Sequence, residues 1–183
     1  MKTHIVCAMP GSGKTWTVNN IQNTRLRELK IINVDDIYFF DMFYKPEYHE
    51  EIIKRFGKKV VNYSLQEYIN PNFAKDYSNK IKELYDSNEY DFILTGIHWD
   101  VRLELYKMNL PYFVVMPDYN DEDRYIDRLL KDRSEEMLNF MHHTWDSMET
   151  LYVFEVDKFI KLGSESFLID ALDQIYWNDK YKN

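Results

Sequence analysis

Cysteine is almost missing from this sequence. Cys7 stands alone among 183 residues, so no disulfide can close within the chain, which fits a reducing compartment. Its place in an apolar stretch makes it a small buried hydrophobe. Positive charge is also short: 23 Lys and Arg face 31 Asp and Glu, a net charge of −8. Non-specific affinity for nucleic acid comes from neutralising phosphates with cations. The acidic balance therefore disfavours a nucleic-acid-coating protein and leaves only a local basic groove open. No run approaches the roughly 20 apolar residues of a membrane span. The opening "MKTHIVCAMP" lacks the apolar core of a cleaved signal. Internal repeats and low-complexity linkers are absent as well.

Apolar side chains are plentiful. The composition is 45% hydrophobic and 16% aromatic, enough for a folded core in a chain of one-domain length. "THIVCA" reads as a buried strand, and "GSGKTWTVNNIQN" as a loop entering a helix. "LKIINVDD" reads as a second strand ending in two acids. A long, mostly helical excursion spans about 37–90, broken at Gly57 and Pro71 and closed by "YSNKIKELYDS", where Ile81, Leu84 and Tyr85 make an apolar face. "YDFILTG" and "PYFVVMPD" are the third and fourth strands. "NDEDRYIDRLLKDR" is a helix with Asn120 as its cap and acids in its first turn. Another helix follows, capped by Ser134. "DKFIKLGSESFLIDALDQIYW" supplies a fifth strand, a turn at Gly163, a cap at Ser164 and a last helix. Strands alternating with helices imply an α/β fold, a parallel sheet covered on both faces.

The stretch "CAMPGSGKTW" carries the strongest chemical signal. In the pattern G-x-x-x-x-G-K-[ST], backbone amides cradle phosphates, the lysine reaches the terminal ones and the hydroxyl holds Mg²⁺. Here the register runs Ala8, Met9, Pro10, Gly11, Ser12, Gly13, Lys14, Thr15, with Trp16 next. Ala8 replaces the usual first glycine. That change is cheap where the backbone suits an L-residue. An apolar strand precedes the loop and a helix follows, as the motif requires.

"MPGSGKTW" followed by a strand and "NVDD" resembles the P-loop kinases of the nucleoside and nucleotide kinase superfamily. In style it is similar to small phage-type kinases and to the kinase domain of phage polynucleotide kinase. The resemblance implies a P-loop NTPase fold with a five-stranded parallel sheet of order 2-3-1-4-5. It implies ATP with Mg²⁺ as cofactors, a single kinase domain over 1–183, an acceptor-binding insert at about 37–90 and a lid at about 120–135. It also implies a cytoplasmic protein (the host's cytoplasm for a phage gene), monomeric or homodimeric, with a nucleotide or nucleoside substrate and no membrane partner.

Site residues follow from the loop and the resemblance together. Pro10, Gly11, Ser12, Gly13, Lys14, Thr15 and Trp16 form the nucleotide cradle, with Thr15 the metal ligand. Asp35 and Asp36 stand at the carboxyl end of the second strand, where ligands of α/β sheets sit. Alternate strand residues point to opposite faces, so only one acid is expected to look into the cleft. Asp35 is favoured for orienting or deprotonating the acceptor, with Asp36 on the substrate side. "LTGIHWDVR" places Thr95 and Gly96 where adenylate-kinase-type chains carry an acid. It offers His98 and Arg102 as acceptor contacts. Arg128 and Arg133, in the lid region, would neutralise charge on the transferring phosphoryl group. The insert holds a basic cluster, Lys54, Arg55, Lys58 and Lys59, and many aromatics, most of them suited to core packing. His142 and His143 splay apart on a helix and complete no metal pattern.

The leading expectation is an ATP-dependent phosphotransferase acting on a nucleoside- or nucleotide-like acceptor. Two alternatives stay open. One is a kinase for a nucleic-acid hydroxyl, at a 5′ end or on a modified base. The other is a nucleotide-binding switch without kinase activity.

Overall fold

Five short strands build one parallel sheet: β1 (His4–Ala8), β2 (Ile31–Asn33), β3 (Phe92–Thr95), β4 (Tyr112–Pro117) and β5 (Phe159–Leu162), ordered β2-β3-β1-β4-β5. This is the order that the resemblance implies. The structure is a computed structural model, and it describes residues 2–57, 65–130, 145, 158–163 and 165–182. Among these, no helix is long and apolar enough to cross a membrane.

Every residue of β1 is buried, because a central parallel strand meets helices on both faces. The strand period sorts its side chains. Ile5, Cys7 and Met9 point into one core layer, while Val6 and Ala8 point into the other. β4 alternates in the same way, Val114 and Met116 against Val115. The second layer is closed by α1 (Lys14–Asn20), whose continuing turn brings Ile21, and by the C-terminal helix. The first layer is closed by the segment between β2 and β3 and by the helix after β3.

That segment is helical in pieces: α2 (Phe40–Phe43), α3 (His49–Phe56) and α4 (Phe73–Ser87). Helix α3 ends at Gly57, whose φ of 80° lies in the left-handed region. Helix α4 buries Phe73, Tyr77, Ile81 and Leu84, an i, i+4, i+8, i+11 stripe. It packs against α5 (Trp99–Lys107) and ends at Asn88, a left-handed cap with φ 53°. The aromatics of this segment are largely core: Phe39, Phe40, Phe43 and Tyr44 are all buried. Of its basic cluster, Arg55 pairs with Glu51 at 2.9 Å, Lys54 is exposed, and Lys58 and Lys59 lie outside the described residues.

Three local expectations change. β2 stops at Asn33, and Val34 already has helical dihedrals (φ −67°, ψ −32°). Asp35 and Asp36 thus start a wide helical turn, Asp35–Phe39, rather than finishing a strand. The cap before α6 (Glu122–Leu130) is Asp118 and not Asn120. Its carboxylate accepts the Asn120 amide at 3.1 Å and opens a 3-10 turn, Tyr119–Asp121, that leads into the helix. The last helix, α7, starts later than expected, at Leu168–Lys182, with the Asp170 carboxylate accepting the Phe167 amide at 2.8 Å. The caps expected at Ser134 and Ser164 lie outside the described residues, as do His142 and His143.

The left-handed cap of α4 gives a stability test. Asn88→Val should cost about 1–2 kcal/mol, because a β-branched side chain crowds the carbonyl in that conformation. Asn88→Gly should change stability by only a few tenths. Denaturant midpoints of the two variants check both values.

Candidate active site

The loop 9–13 is tied to the body through its carbonyls. The Tyr125 hydroxyl, from α6, donates to Pro10 O at 2.6 Å, and the Leu168 amide, at the start of α7, donates to Ser12 O at 3.0 Å. The Met9 amide donates to Val115 O at 3.3 Å and so anchors the loop's entry to β4. Gly11 (φ 79°) and Gly13 (φ 100°) provide the two left-handed turns that this path requires. Ala8 needs no such freedom. It is the last residue of β1, paired with Val115 and fully buried, and it is not among the residues with positive φ. Its carbonyl accepts the Lys14 ammonium at 2.9 Å.

Helix α1 has no side-chain cap, and its first amides have no intrahelical acceptor. The Ser12 hydroxyl is buried with no hydrogen-bond partner. Backbone amides and an orphaned hydroxyl in a glycine-bent loop are a donor set that fits phosphate. Trp16, by contrast, points outward and is 55% exposed.

Both acids reach this loop. Asp35 Oδ2 lies 3.4 Å from Lys14 Nζ. The Thr15 hydroxyl donates to the Asp36 carboxylate, at 2.9 and 3.1 Å from its two oxygens. The expectation that only one acid faces the cleft fails for a geometric reason. Adjacent helical residues sit about 100° apart, not 180°, so the two carboxylates share one side of the turn.

Asp35 is held from several directions. Its Oδ1 accepts the Tyr77 hydroxyl at 2.6 Å, the Gly96 amide at 3.0 Å and the Thr95 hydroxyl at 3.4 Å. Thr95 and Gly96 end β3, where an acid was missing in the sequence. The carboxylate of Asp35, from the β2 side, covers that end instead. Burial alone would raise its pKa. The Lys14 ammonium, then the His98 ring, the Tyr77 hydroxyl and the Gly96 amide outweigh burial and hold it below the usual carboxylate value.

His98 lies against this cluster, stacked on Phe39 (centroids 4.9 Å apart, planes at 28°). Burial lowers its pKa and prevails over the opposing pull of Asp35 and Asp100. Arg102 is buried, with its guanidinium 5.5 Å from the Trp99 ring centre. The structure therefore brings together Lys14, Thr15, Asp35, Asp36 and His98, and it buries Arg102 on α5. The Arg128 side chain and all of Arg133 lie outside the described residues. Arg124, on the same helix as Arg128, lines a shallow, open surface cleft with Pro117, Asp121, Tyr125, Leu162, Gly163 and Ser166.

Sequence reasoning missed Tyr77 and Tyr125. A signal was present for the first. It occupies a core position of an amphipathic helix, where a tyrosine hydroxyl needs a partner that phenylalanine would not. Nothing local marks Tyr125, whose partner is 115 residues away.

Two outcomes test this geometry. A Cβ on Gly96 would meet His98 Nε2 at 2.7 Å and Cδ2 at 2.9 Å, and that ring is already stacked. Gly96→Ala should cost about 1–3 kcal/mol, read from thermal or denaturant melts. The lowered pKa of Asp35 means its anion stabilises the fold above the unfolded carboxyl pKa, about 3.9. That contribution is lost as pH falls through the lower folded value. Asp35→Asn should flatten the loss of stability below about pH 4, measured by urea melts across pH.

No protein-family model and no curated protein matches this sequence. Among solved structures, a gluconokinase from Sinorhizobium meliloti 1021 superposes with a TM-score of 0.53. The match covers 100% of this chain and 97% of that one, at 13% identity. A likeness at that identity is a likeness of fold, and with the sheet order β2-β3-β1-β4-β5 it shows that this chain has the fold of the P-loop kinases.

Proposed function

We propose that the protein is an ATP-dependent phosphotransferase that moves a phosphoryl group to the hydroxyl of a nucleoside- or nucleotide-like acceptor. One observation carries the reading. The lysine and threonine of the phosphate loop meet the two acids after β2 within hydrogen-bond or ion-pair reach, Lys14 with Asp35 and Thr15 with Asp36. A donor cradle and an acid for the acceptor thereby share one cleft.

Lys14, the amides of Gly11 and Gly13 and the unpartnered Ser12 hydroxyl bind the phosphates of the donor. Oxygen donors suit a hard cation, and the Thr15 hydroxyl would hold Mg²⁺. When bound, the ion neutralises charge on phosphoryl oxygens. Asp35 orients the acceptor hydroxyl and takes its proton. The acceptor oxygen bonds to the γ-phosphorus while the bond from that phosphorus to the bridging oxygen breaks. ADP leaves, and the proton passes from Asp35 to water. Arg128 and Arg133 supply lid charge in this scheme, with Trp16 at the cradle's outer rim. His98, Asp36 and Arg102 border the acceptor side. A single domain over 1–183, with an acceptor-binding segment at about 37–90, belongs to the same reading, as does a cytoplasmic location.

A sugar-acid acceptor is the second reading. It is favoured by the activity named for the superposed gluconokinase.

One assay separates these. Purified protein with Mg²⁺ and ATP should release ADP only when an acceptor is added from a panel of nucleosides, nucleoside monophosphates, oligonucleotides and sugar acids. Lys14→Ala should lower kcat/KM on the order of 10²–10³-fold. Nucleotide binding without acceptor-dependent turnover would instead favour a switch.

A further inference from the structure

The two oxygens of Asp35 are not equivalent. Oδ1 faces three donors: the Tyr77 hydroxyl at 2.6 Å, the Gly96 amide at 3.0 Å and the Thr95 hydroxyl at 3.4 Å. Oδ2 faces Lys14 at 3.4 Å. Tyr77 is fully buried on α4, with its ring stacked on Phe73 (5.3 Å) and edge-on to Phe39 (5.7 Å). Phenylalanine would fill this aromatic slot equally well. The hydroxyl costs desolvation there unless it is bonded, and its short bond goes to the carboxylate. Thr95 Oγ1, 3.4 Å away, is a weaker second neighbour.

We propose that Tyr77 is a positioning residue for Asp35: its hydroxyl, with the Gly96 amide, occupies Oδ1 and leaves Oδ2 as the one atom offered to the acceptor's hydroxyl. This rests on the reading of Asp35 as the acceptor's base. It gives α4 a role beyond packing. The helix that closes the segment between β2 and β3 also fixes which lone pairs the acid presents, so a shift of α4 would turn the carboxylate. Burial, then the Asp35 charge and the hydrogen bond to it, raises the Tyr77 pKa well above 10. The phenol therefore remains a donor throughout the working pH range. The other titratable groups facing this pair are Lys14 from α1, His98 after β3 and Cys7 from β1. None of these is altered by the changes below.

Two readouts test the role. The first is the carboxyl titration of Asp35 in the ligand-free protein, followed by carbon NMR and assigned with Asp35→Asn. The second is the pH profile of kcat/KM with whichever acceptor supports turnover. Tyr77→Phe removes a donor to the anion, so the Asp35 pKa should rise by about one unit. A base works only when deprotonated, so the acid limb of the profile should move to higher pH by a similar amount. At pH 7 the acid is ionised in both proteins, so kcat there reports its orientation alone and should fall roughly tenfold, with the KM for ATP unchanged. Site-specific 3-fluorotyrosine at position 77 keeps the ring and hydroxyl but makes a stronger donor. It should move both readouts the other way. Packing alone does not produce shifts of opposite sign, and the second protein serves if the Phe variant does not fold. An Asp35 titration that ignores both changes overturns the proposal. Wild-type protein that turns over no acceptor on the panel overturns the reading of Asp35 itself, and the role of Tyr77 with it, whatever the titration shows.

Discussion

The carboxylate of Asp35 takes donors from three separate parts of the chain. Lys14 comes from the helix after β1, Gly96 and Thr95 from the end of β3, and Tyr77 from α4. A half-buried acid in such surroundings is costly unless it is paired and hydrogen-bonded. Its depressed pKa indicates that the partners outweigh the burial. The cleft depends on this balance. Remove the acid, and the lysine loses its ion pair, the β3 end loses an acceptor for its amide, and a buried phenol is left without its short bond.

The loop's geometry follows from where its carbonyls go. Pro10 O and Ser12 O are taken by α6 and α7, so two helices that come late in the chain set the shape of a loop near its start. Gly11 and Gly13 allow that path, and a serine hydroxyl stays buried without a partner. Ala8 was the one departure from the loop's usual pattern, and it falls on the strand side of the boundary, where an extended residue is wanted. The motif needs glycine only at its inner bends.

The strands and the loop were legible because they rest on short-range signals: apolar strands bounded by turns, and a pattern of fixed spacing. The order of the strands in the sheet came only with the resemblance that the loop carries. The behaviour of Asp35 and Asp36 was not, because it turns on the backbone state of one residue. Val34 reads as the continuation of an apolar strand, yet it adopts helical dihedrals, and that one change brings both acids onto the loop. Tyr77 was half legible. Its place on the apolar stripe of α4 follows from periodicity, but its partner is 42 residues away and no local pattern names it. The cap at Asp118 was missed in favour of Asn120 two residues on, since both are good capping residues and only the 3-10 turn decides between them. Arg133 and the side chain of Arg128 lie outside the described residues, and the lid at about 120–135 is an expectation from the resemblance.

An acidic protein that receives a polyphosphate has an electrostatic problem. With a net charge of −8 and two carboxylates at the mouth of its loop, the cleft would repel a triphosphate if those acids stood bare. In the structure neither does: Lys14 sits against Asp35, and the Thr15 hydroxyl against Asp36. On the proposed reading, a phosphate that draws Lys14 toward itself weakens the ion pair at Oδ2. The anion there then loses its largest stabilising partner as the acceptor's proton needs a home. The donors on Oδ1 stay in place throughout, because Tyr77 and Gly96 belong to the core and not to the loop. The same charge that makes the loop lysine a phosphate ligand thus holds the acid in check before phosphate arrives. The core hydrogen bonds keep that acid from swinging away once the lysine's pull is shared.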